Sequence, residues 1–322
     1  MDKTRRSWII FAVVLMAVLI EVGVVYYYFN FIPRKPASKK IVEAPYRLTK
    51  KQKLADVSQP ADLAIAHGRV FVLDTLNNRV LEIDKTGKTI RKIDAASDPR
   101  ISLHTPMGIA SFGENLYIAD TLGHQVVIVT VDGIFQQAIQ MLKNPGDAKE
   151  PRPIGIAVNK EGEFIVADAD NHRVIMFNAS GEEVKAIGTG RKERGNKGFN
   201  TPCGVAYGSD GSFYVVDIMN SRVQEFNRDG KFVKRMDNTK EIHLGRPKYV
   251  TVNSEGSILV SDGLLGIIHM FDKKGKYKGV VGRKRDTKKA VTIFEVPAGL
   301  KLDGSRLYVI DRFAGLYIFK KT

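Results

Sequence analysis

Cysteine is almost absent from this chain. The only one is Cys203, so no disulfide can form within the chain. Without a CxxC pair or a cysteine paired with histidine, thiolate zinc sites are excluded as well. Acidic residues are also scarce, since 50 Lys and Arg stand against 35 Asp and Glu, a net charge of +15. Packing alone must therefore stabilise the fold, and the excess positive charge has to be located before a partner is inferred.

The charge is concentrated at the N-terminal end. Residues 1–53 carry 11 basic and 3 acidic side chains, a net of +8, which leaves +7 on the rest of the chain. Within that end, the apolar segment 8–29 contains one charge, Glu21. At about 1.5 Å per residue a helix of this length spans roughly 33 Å, which matches a bilayer core of about 30 Å. We predict a basic tail at 1–7, a transmembrane helix at 8–29 and a basic, Pro-containing linker at 30–45.

The apolar segment is better explained as a retained anchor than as a cleaved signal peptide. It is long, and YYYFNFIP follows it instead of a small-residue cleavage site. Basic residues flank both ends, but the leading tail is short and a long following domain translocates largely regardless of its charge. We therefore predict a single-pass cell-membrane protein with its N-terminus in the cytoplasm and the rest of the chain outside.

The rest of the chain is built from six repeats. Each opens with a proline, at Pro60, Pro106, Pro153, Pro202, Pro247 and Pro297. Each then closes an apolar run on an aspartate, at Asp74, Asp120, Asp168, Asp217, Asp262 and Asp311. A glycine follows each of the first five aspartates at one fixed spacing, at Gly87, Gly133, Gly181, Gly230 and Gly275. Such a regular period indicates a repeat architecture.

Each repeat contains four short β-branched or aromatic runs separated by turn residues, which predicts four strands. Repeats of about 40–50 residues with four strands are typical of β-propellers, so we predict an all-β, six-bladed propeller over residues 46–322. The sixth repeat ends at Thr322, soon after Asp311, and lacks a fourth strand. The segment 41–52 is predicted to supply that strand, which would close the ring and remove an exposed sheet edge.

The residues that recur after the aspartates resemble a known family. The run from Asp168 to Phe177, DADNHRVIMF, resembles the NHL repeat, and the resemblance extends over about residues 54–322. Repeats one and four keep the asparagine and the arginine, whereas repeats five and six have lost both. The resemblance implies an NHL-type propeller, a fold that hosts many activities. Some NHL propellers bind single-stranded RNA on a basic face.

The repeated polar residues are predicted to be structural. Asp and Asn at a strand-to-strand turn can bond to nearby backbone amides, and Arg79, Arg173 and Arg222 are predicted to bridge to a neighbouring turn. A motif present in every repeat is poor evidence for one active centre. The set comprises the six aspartates together with Asn171 and Arg173.

A catalytic site would lie at the propeller axis, where sugar-lactonase-like six-bladed propellers place carboxylate and amide metal ligands. In this sequence the corresponding inner-strand positions are mostly glycine and alanine, which suits blades that converge. The polar exceptions are Asp62, Tyr249, Thr251 and Lys301, and we predict that they form an axial polar cluster. The sequence indicates no metal site and no cofactor.

Two loops between repeats hold nearly all of the propeller's excess charge. Residues 188–200 and 282–296 each carry a net charge of +3. Because both join the end of one blade to the start of the next, they are predicted to project from one face. The candidate binding residues are Arg191, Lys192, Arg194, Lys197, Arg283, Lys284, Arg285, Lys288 and Lys289.

The sequence thus favours a membrane-anchored, non-catalytic binding or scaffolding module with a protein or anionic partner on its basic face. One alternative is a metal-dependent lyase or lactone hydrolase with an axial site. Another is an RNA-binding propeller, if the domain is cytoplasmic. Base stacking requires exposed aromatic rings among the cations, and these loops contain only Phe199 and Phe294, so nucleic acid is disfavoured.

Overall fold

The computed structural model describes residues 43–147, 149–239, 242–283, 292–313 and 315–322. The predicted tail, the transmembrane helix at 8–29 and the linker up to residue 42 lie outside these ranges. Within the described ranges, no helix has the length and apolar character needed to cross a bilayer.

The described chain is built of 24 strands and two short 3₁₀ turns. The strands of blades one to three are β2 (Leu63–Ala66), β3 (Arg69–Asp74), β4 (Arg79–Ile83), β5 (Thr89–Ile93), β6 (Pro106–Phe112), β7 (Asn115–Asp120), β8 (Gln125–Thr130), β9 (Phe135–Gln140), β10 (Pro153–Val158), β11 (Phe164–Asp168), β12 (Arg173–Phe177) and β13 (Glu183–Ile187). Those of blades four to six are β14 (Pro202–Tyr207), β15 (Phe213–Asp217), β16 (Arg222–Phe226), β17 (Phe232–Met236), β18 (Pro247–Val252), β19 (Ile258–Asp262), β20 (Ile267–Phe271), β21 (Tyr277–Val281), β22 (Pro297–Asp303), β23 (Arg306–Asp311), β24 (Gly315–Lys321) and β1 (Tyr46–Gln52). The 3₁₀ turns are Thr75–Asn77 and Ile218–Asn220.

These strands form six four-stranded antiparallel sheets, which confirms the predicted six-bladed all-β propeller. In five blades the repeat proline is the first residue of the inner strand, and it lies opposite the repeat aspartate on the second strand, as in the Pro153–Asp168 pair. Blade one differs, because its inner strand begins at Leu63, shortly after Pro60. The glycine that recurs after each of the first five aspartates lies in a tight turn with positive φ, for example 90° at Gly87, where a side chain would be strained.

Blade six is completed by the N-terminal strand. β1 pairs antiparallel with β24 from Tyr46 opposite Lys321 to Gln52 opposite Leu316, so the sheet order is β1-β24-β23-β22. Just before β1, Ala44 donates its backbone N–H to the Val280 oxygen at 2.9 Å, on the outer strand of blade five. The N-terminal segment therefore contacts two neighbouring blades.

The apolar core lies between neighbouring blades. Five clusters of buried side chains fill the gaps, and the largest joins blades five, six and one and includes Tyr46 from the closing strand. The outer strands β5, β9, β13 and β17 are mostly exposed and polar. Each blade buries its faces only by stacking on its neighbours, as expected for repeat units that cannot fold alone.

The strand order divides the molecule into two faces. The loops between blades and the turns that follow the repeat aspartates lie on one face, here called the loop face. The turns that join first to second and third to fourth strands lie on the opposite face, here called the hairpin face. Inner strands run from the loop face to the hairpin face because each one follows an interblade loop.

Candidate functional site

Each repeat aspartate is fully buried and ties its blade to the preceding interblade loop. The carboxylate accepts a backbone N–H from that loop in every blade. The donors are Ser58 to Asp74 (2.7 Å), His104 to Asp120 (2.5 Å), Arg152 to Asp168 (2.8 Å), Asn200 to Asp217 (2.6 Å), Gly245 to Asp262 (2.7 Å) and Glu295 to Asp311 (2.8 Å). Each buried carboxylate thereby satisfies its hydrogen-bonding capacity within the fold, as buried polar groups generally do.

The asparagine and arginine of the motif extend the same link. In blade four, Asn220 Nδ2 and Arg222 Nε each lie 2.8 Å from an oxygen of Asp217. Arg222 also donates to the backbone oxygens of Arg194, Gly195 and Gly198 in the preceding loop. The motif arginines bridge to a neighbouring interblade loop, and Arg79 does so through the Asp56 oxygen at 2.7 Å.

Blades five and six keep the link without the asparagine or the arginine. Asp262 accepts backbone N–H groups from Gly245, Arg246, Leu264 and Leu265, and it lies 3.3 Å from His269 Nε2. A buried carboxylate needs hydrogen-bond donors, and in these two blades backbone N–H groups supply them. This explains why aspartate is present in all six repeats while asparagine and arginine are not.

The residue before the arginine position links blades one, two and three to the blade that follows each of them. It has a left-handed backbone in five blades, with φ from 50° to 63°. Its side chain reaches the following interblade loop in three of them. The contacts are Thr105 N to Asn78 Oδ1 (2.7 Å), His124 Nδ1 to the Pro151 oxygen (2.6 Å) and Thr201 N to His172 Nδ1 (3.1 Å). These histidines are therefore bonded to loop backbone.

At the axis, the inner strands approach each other too closely for most side chains. A Cβ atom at Gly108, Gly155, Gly204 or Gly299 would overlap backbone or side-chain atoms of the next inner strand. Glycine is required at these four positions because the neighbouring blade lies too close for a side chain. This holds whatever the backbone φ of the glycine. The predicted packing role of the small inner-strand residues fits this geometry.

Two of the predicted axial residues are buried in this crowded layer. Tyr249 is 8% exposed, and its hydroxyl donates to the Met107 oxygen at 2.6 Å on blade two. Asp62 is 2% exposed and accepts backbone N–H groups from Leu63 (2.9 Å) and Ile109 (3.1 Å). Burial raises the pKa of Asp62, while Lys301 and those two amides oppose the shift.

The other two axial residues line a cavity that opens towards the hairpin face. Its volume is about 200 Å³, and its walls are the alanine layer of the inner strands together with Thr251 and Lys301. Lys301 Nζ lies 3.9 Å from Asp62 Oδ2 at the end of this cavity. The four residues do not form one open site, because Tyr249 and Asp62 close the axis and Thr251 and Lys301 face the cavity.

A larger groove of about 500 Å³ adjoins this cavity on the hairpin face and shares Val158, Tyr207 and Val252 with it. The turns of blades three to five line it. Among the described residues, no group of three His, Cys, Asp or Glu side chains is placed to hold a metal ion. Burial raises the pKa of the Cys203 thiol to about 12, so this cysteine remains a protonated core residue.

The basic loop 188–200 is ordered by the repeat motif of blade four. Asn220 Nδ2 donates to the Glu193 oxygen at 2.8 Å, and Arg222 bonds three further loop carbonyls. Phe199 is fully buried and packs against Phe226 with ring centroids 5.7 Å apart. The loop thus presents its four cations, Arg191, Lys192, Arg194 and Lys197, on a fixed backbone, and all four are exposed.

Only part of the second basic loop, residues 282–296, lies among the described residues. Arg283 is half-buried and pairs in an isolated bridge with Thr292, while Phe294 is buried against Tyr317. The predicted binding residues Lys284, Arg285, Lys288 and Lys289 lie outside the described residues. Both basic loops join one blade to the next, so the described ends of both belong to the loop face.

The loop face also carries apolar side chains that the sequence reasoning missed. The residue two after the repeat aspartate is a large, exposed apolar residue in five blades. These are Leu76 (53% exposed), Leu122 (57%), Met219 (52%), Leu264 (45%) and Phe313 (61%), here called the apolar ring. Blade three has Asp170 at this position. The repeat alignment contains this pattern and could have revealed it.

Comparison with known proteins agrees with the fold. Residues 151–177 match the family model for the NHL repeat, within blade three. No curated protein matches the chain significantly. Among solved structures, virginiamycin B lyase from Staphylococcus aureus is similar with 13% identity and a TM-score of 0.58, over 85% of this chain and 99% of that one.

Two further solved structures show the same likeness. A gluconolactonase from Xanthomonas campestris has 17% identity and a TM-score of 0.59, over 90% of this chain and 99% of its own. The WD40 propeller domain of Doa1 has 10% identity and a TM-score of 0.61, over 86% of this chain and 97% of its own. At these identities the likeness to solved structures establishes the propeller fold alone. The chain is thus a six-bladed propeller in which the family model identifies an NHL repeat at residues 151–177.

Proposed function

We propose that this protein is a membrane-anchored, extracytoplasmic NHL-type propeller that binds an acidic protein partner on its loop face and has no catalytic activity of its own. The anchor is the apolar segment 8–29, and the cell membrane is the proposed location.

The observation that carries this proposal is the composition of the loop face. The apolar ring supplies large exposed side chains, and loop 188–200 supplies cations on a backbone ordered by Arg222. Among the described residues, none of the four cations of this loop forms an ion pair. Exposed apolar side chains bordered by charge mark protein interaction surfaces, and unpaired cations favour an acidic partner.

The same geometry makes nucleic acid a poorer partner. Phe199 and Phe294 are the only aromatic residues of the two basic loops, and both are buried. Neither ring can stack on a base. The recognition of unpaired bases relies on such stacking, so the loop cations fit an acidic protein better.

An axial enzyme is the second candidate function. It is supported by the cavity in which Lys301 lies 3.9 Å from the buried Asp62 carboxylate. The lyase and the gluconolactonase share this fold at 13% and 17% identity, and at that level the likeness concerns the fold alone. Replacing Lys301 by Met should abolish turnover if the cavity is catalytic, and it should leave partner binding unchanged if the loop face is the functional surface.

The proposal is tested by crosslinking in native membranes followed by identification of the captured proteins. We expect a variant with Ser at Arg191, Lys192 and Lys197 to lose the partner, and recovery from wild type to fall with salt as the Debye length drops from about 10 Å at 0.1 M to about 3 Å at 1 M. A matched control replaces Lys231, Lys274 and Lys276, three exposed lysines of the hairpin face. Equal recovery from both variants at all salt concentrations would contradict the proposal.

The apolar ring is tested separately. Replacing Leu122 and Phe313 by Ser should also reduce recovery of the partner, because their exposed surface would no longer be buried. The control replaces Ile90 and Ile134, which are each 58% exposed but lie on an outer strand and on a hairpin turn. A topology reporter fused after Thr322 tests the proposed location.

A further inference from the structure

Three cationic side chains lie together on the loop face where blade five meets blade six. Arg246 directly precedes β18, Lys248 is the second residue of that strand, and Arg312 directly follows β23. The Arg246 oxygen accepts the Gly263 N–H at 3.1 Å, and the Arg312 N–H donates to the Val296 oxygen at 3.0 Å. Arg246 is thereby held to the blade-five turn at Gly263, and Arg312 to the blade-six loop at Val296.

The stem of Lys248 lies between that turn and that loop. A Cβ atom at Gly263 would lie 3.1 Å from Lys248 Cε and 3.5 Å from Val296 Cγ1. Gly263 therefore leaves the space through which the lysine passes. Lys248 and Arg312 are half-buried, and Arg246 is exposed. The charges of Arg312 and Arg246 both act on the Lys248 ammonium, so the three cations belong to one patch of the loop face.

The group contains three cations whose charges are not matched by ion pairs in the described part of the chain. Among the described residues, Arg246, Lys248 and Arg312 make no ion pair. The neighbouring carboxylate of Asp262 already accepts four backbone N–H groups and faces His269. A cluster of three cations with no acidic partner favours a ligand with more than one negative charge.

We propose that Arg246, Lys248 and Arg312 form a binding site for a phosphate group, either free inorganic phosphate or the phosphate of a phosphomonoester. Guanidinium groups present paired donors that match phosphate oxygens, and an ammonium group adds a compact point charge. The site is independent of the acidic partner of loop 188–200, because none of its residues belongs to that loop.

Protonation of Lys248 is coupled to this binding. Burial, followed by the charges of Arg312 and Arg246, lowers the pKa of Lys248 to about 8, while the Cys203 thiol and Asp262 oppose the shift. A bound phosphate dianion would offset the two guanidinium charges and raise that pKa again. Binding near pH 8 should therefore take up a proton.

The test is calorimetry with the full chain in detergent at pH 8, in two buffers of different ionisation enthalpy. Inorganic phosphate and phenyl phosphate are the probes. We expect a Kd of about 1 mM or tighter for at least one of them, with proton uptake. Stronger binding of phenyl phosphate identifies a phosphomonoester site, and stronger binding of inorganic phosphate identifies a free-phosphate site.

Lys248→Met keeps the packed stem and removes the charge, so it should fold and weaken binding about tenfold or more. Arg312→Gln should also fold and weaken binding about tenfold or more, and it leaves the side chain of Lys248 unchanged. Lys192→Met on the loop 188–200 is the matched control and should bind like wild type. The proposal is overturned if neither probe binds, or if Lys248→Met and Lys192→Met bind equally well. The partner capture described above is unaffected by either result.

Discussion

The hydroxyl of Tyr249 donates a hydrogen bond to the backbone oxygen of Met107 at 2.6 Å, although the two residues belong to blades on opposite sides of the ring. Four of the other five blades have glycine at the position of Tyr249, and a side chain there would overlap the next strand. The side chain of Tyr249 therefore occupies space at the axis that the glycines of the other blades leave free. Its hydrogen bond links blade five to blade two.

Tyr249→Phe should lower the free energy of unfolding by about 1–3 kcal/mol, because it leaves a buried carbonyl oxygen without its donor. Chemical denaturation measures the change. Tyr207→Phe is the control, since the Tyr207 hydroxyl has no hydrogen bond among the described residues and its loss should have little effect. Equal effects of the two substitutions would argue against the link across the axis.

Removal of the closing strand should destabilise the propeller. A chain that begins at Leu54 lacks β1, exposes the edge of β24 and loses the buried Tyr46 ring. We expect a loss of several kcal/mol, a large share of the stability of a typical domain, and a tendency to aggregate through the free edge. If its melting temperature equals that of a chain beginning at Ile41, β1 does not close the ring.

Asp168→Ala should lower stability by about 1–3 kcal/mol, because the Arg152 N–H and the side chains of Asn171 and Arg173 lose their buried acceptor. Binding per folded molecule should not change. The control is Asp170→Ala, which removes surface ion pairs to Lys149 and Arg152 that are 3.4 Å long and should cost less than about 1 kcal/mol. A variant that folds normally but no longer binds would refute the structural role.

Stability should depend on pH through Lys248. Its pKa is about 8 in the folded chain against 10.5 for the free side chain. Between these values the unfolded chain binds more protons than the folded chain, so the contribution of this group to the free energy of unfolding rises with pH. The difference between wild type and Lys248→Met, measured by denaturation from pH 7 to pH 10.5, should therefore shift in favour of wild type as pH rises. A constant difference would contradict the lowered pKa.

The fold could be predicted because its signals are local. Alternating apolar residues, the turn glycines such as Gly87 and the aspartate that ends each second strand repeat with a regular spacing, and each is a property of a few neighbouring residues. The closing strand followed from the same count, since a repeat that ends soon after Asp311 has room for only three strands. The apolar ring was equally visible in that alignment, at the second residue after five of the six aspartates.

The arrangement of the axial residues and of the loop-face cations depends on packing between blades, which no local sequence pattern indicates. Asp62 and Tyr249 stand two residues after their repeat prolines, and Thr251 and Lys301 stand four residues after theirs. That spacing separates the two pairs, but it does not show that the first pair closes the axis while the second lines a cavity. This depends on how closely the blades converge along the inner strands. The electrostatic effect of Arg312 on Lys248 likewise relates residues of different blades. Sequence by itself therefore determined the repeats, the strands and the fold, because these follow from short-range periodicity. Only the tertiary structure decided which side chains meet, because that depends on how closely the blades pack around the axis.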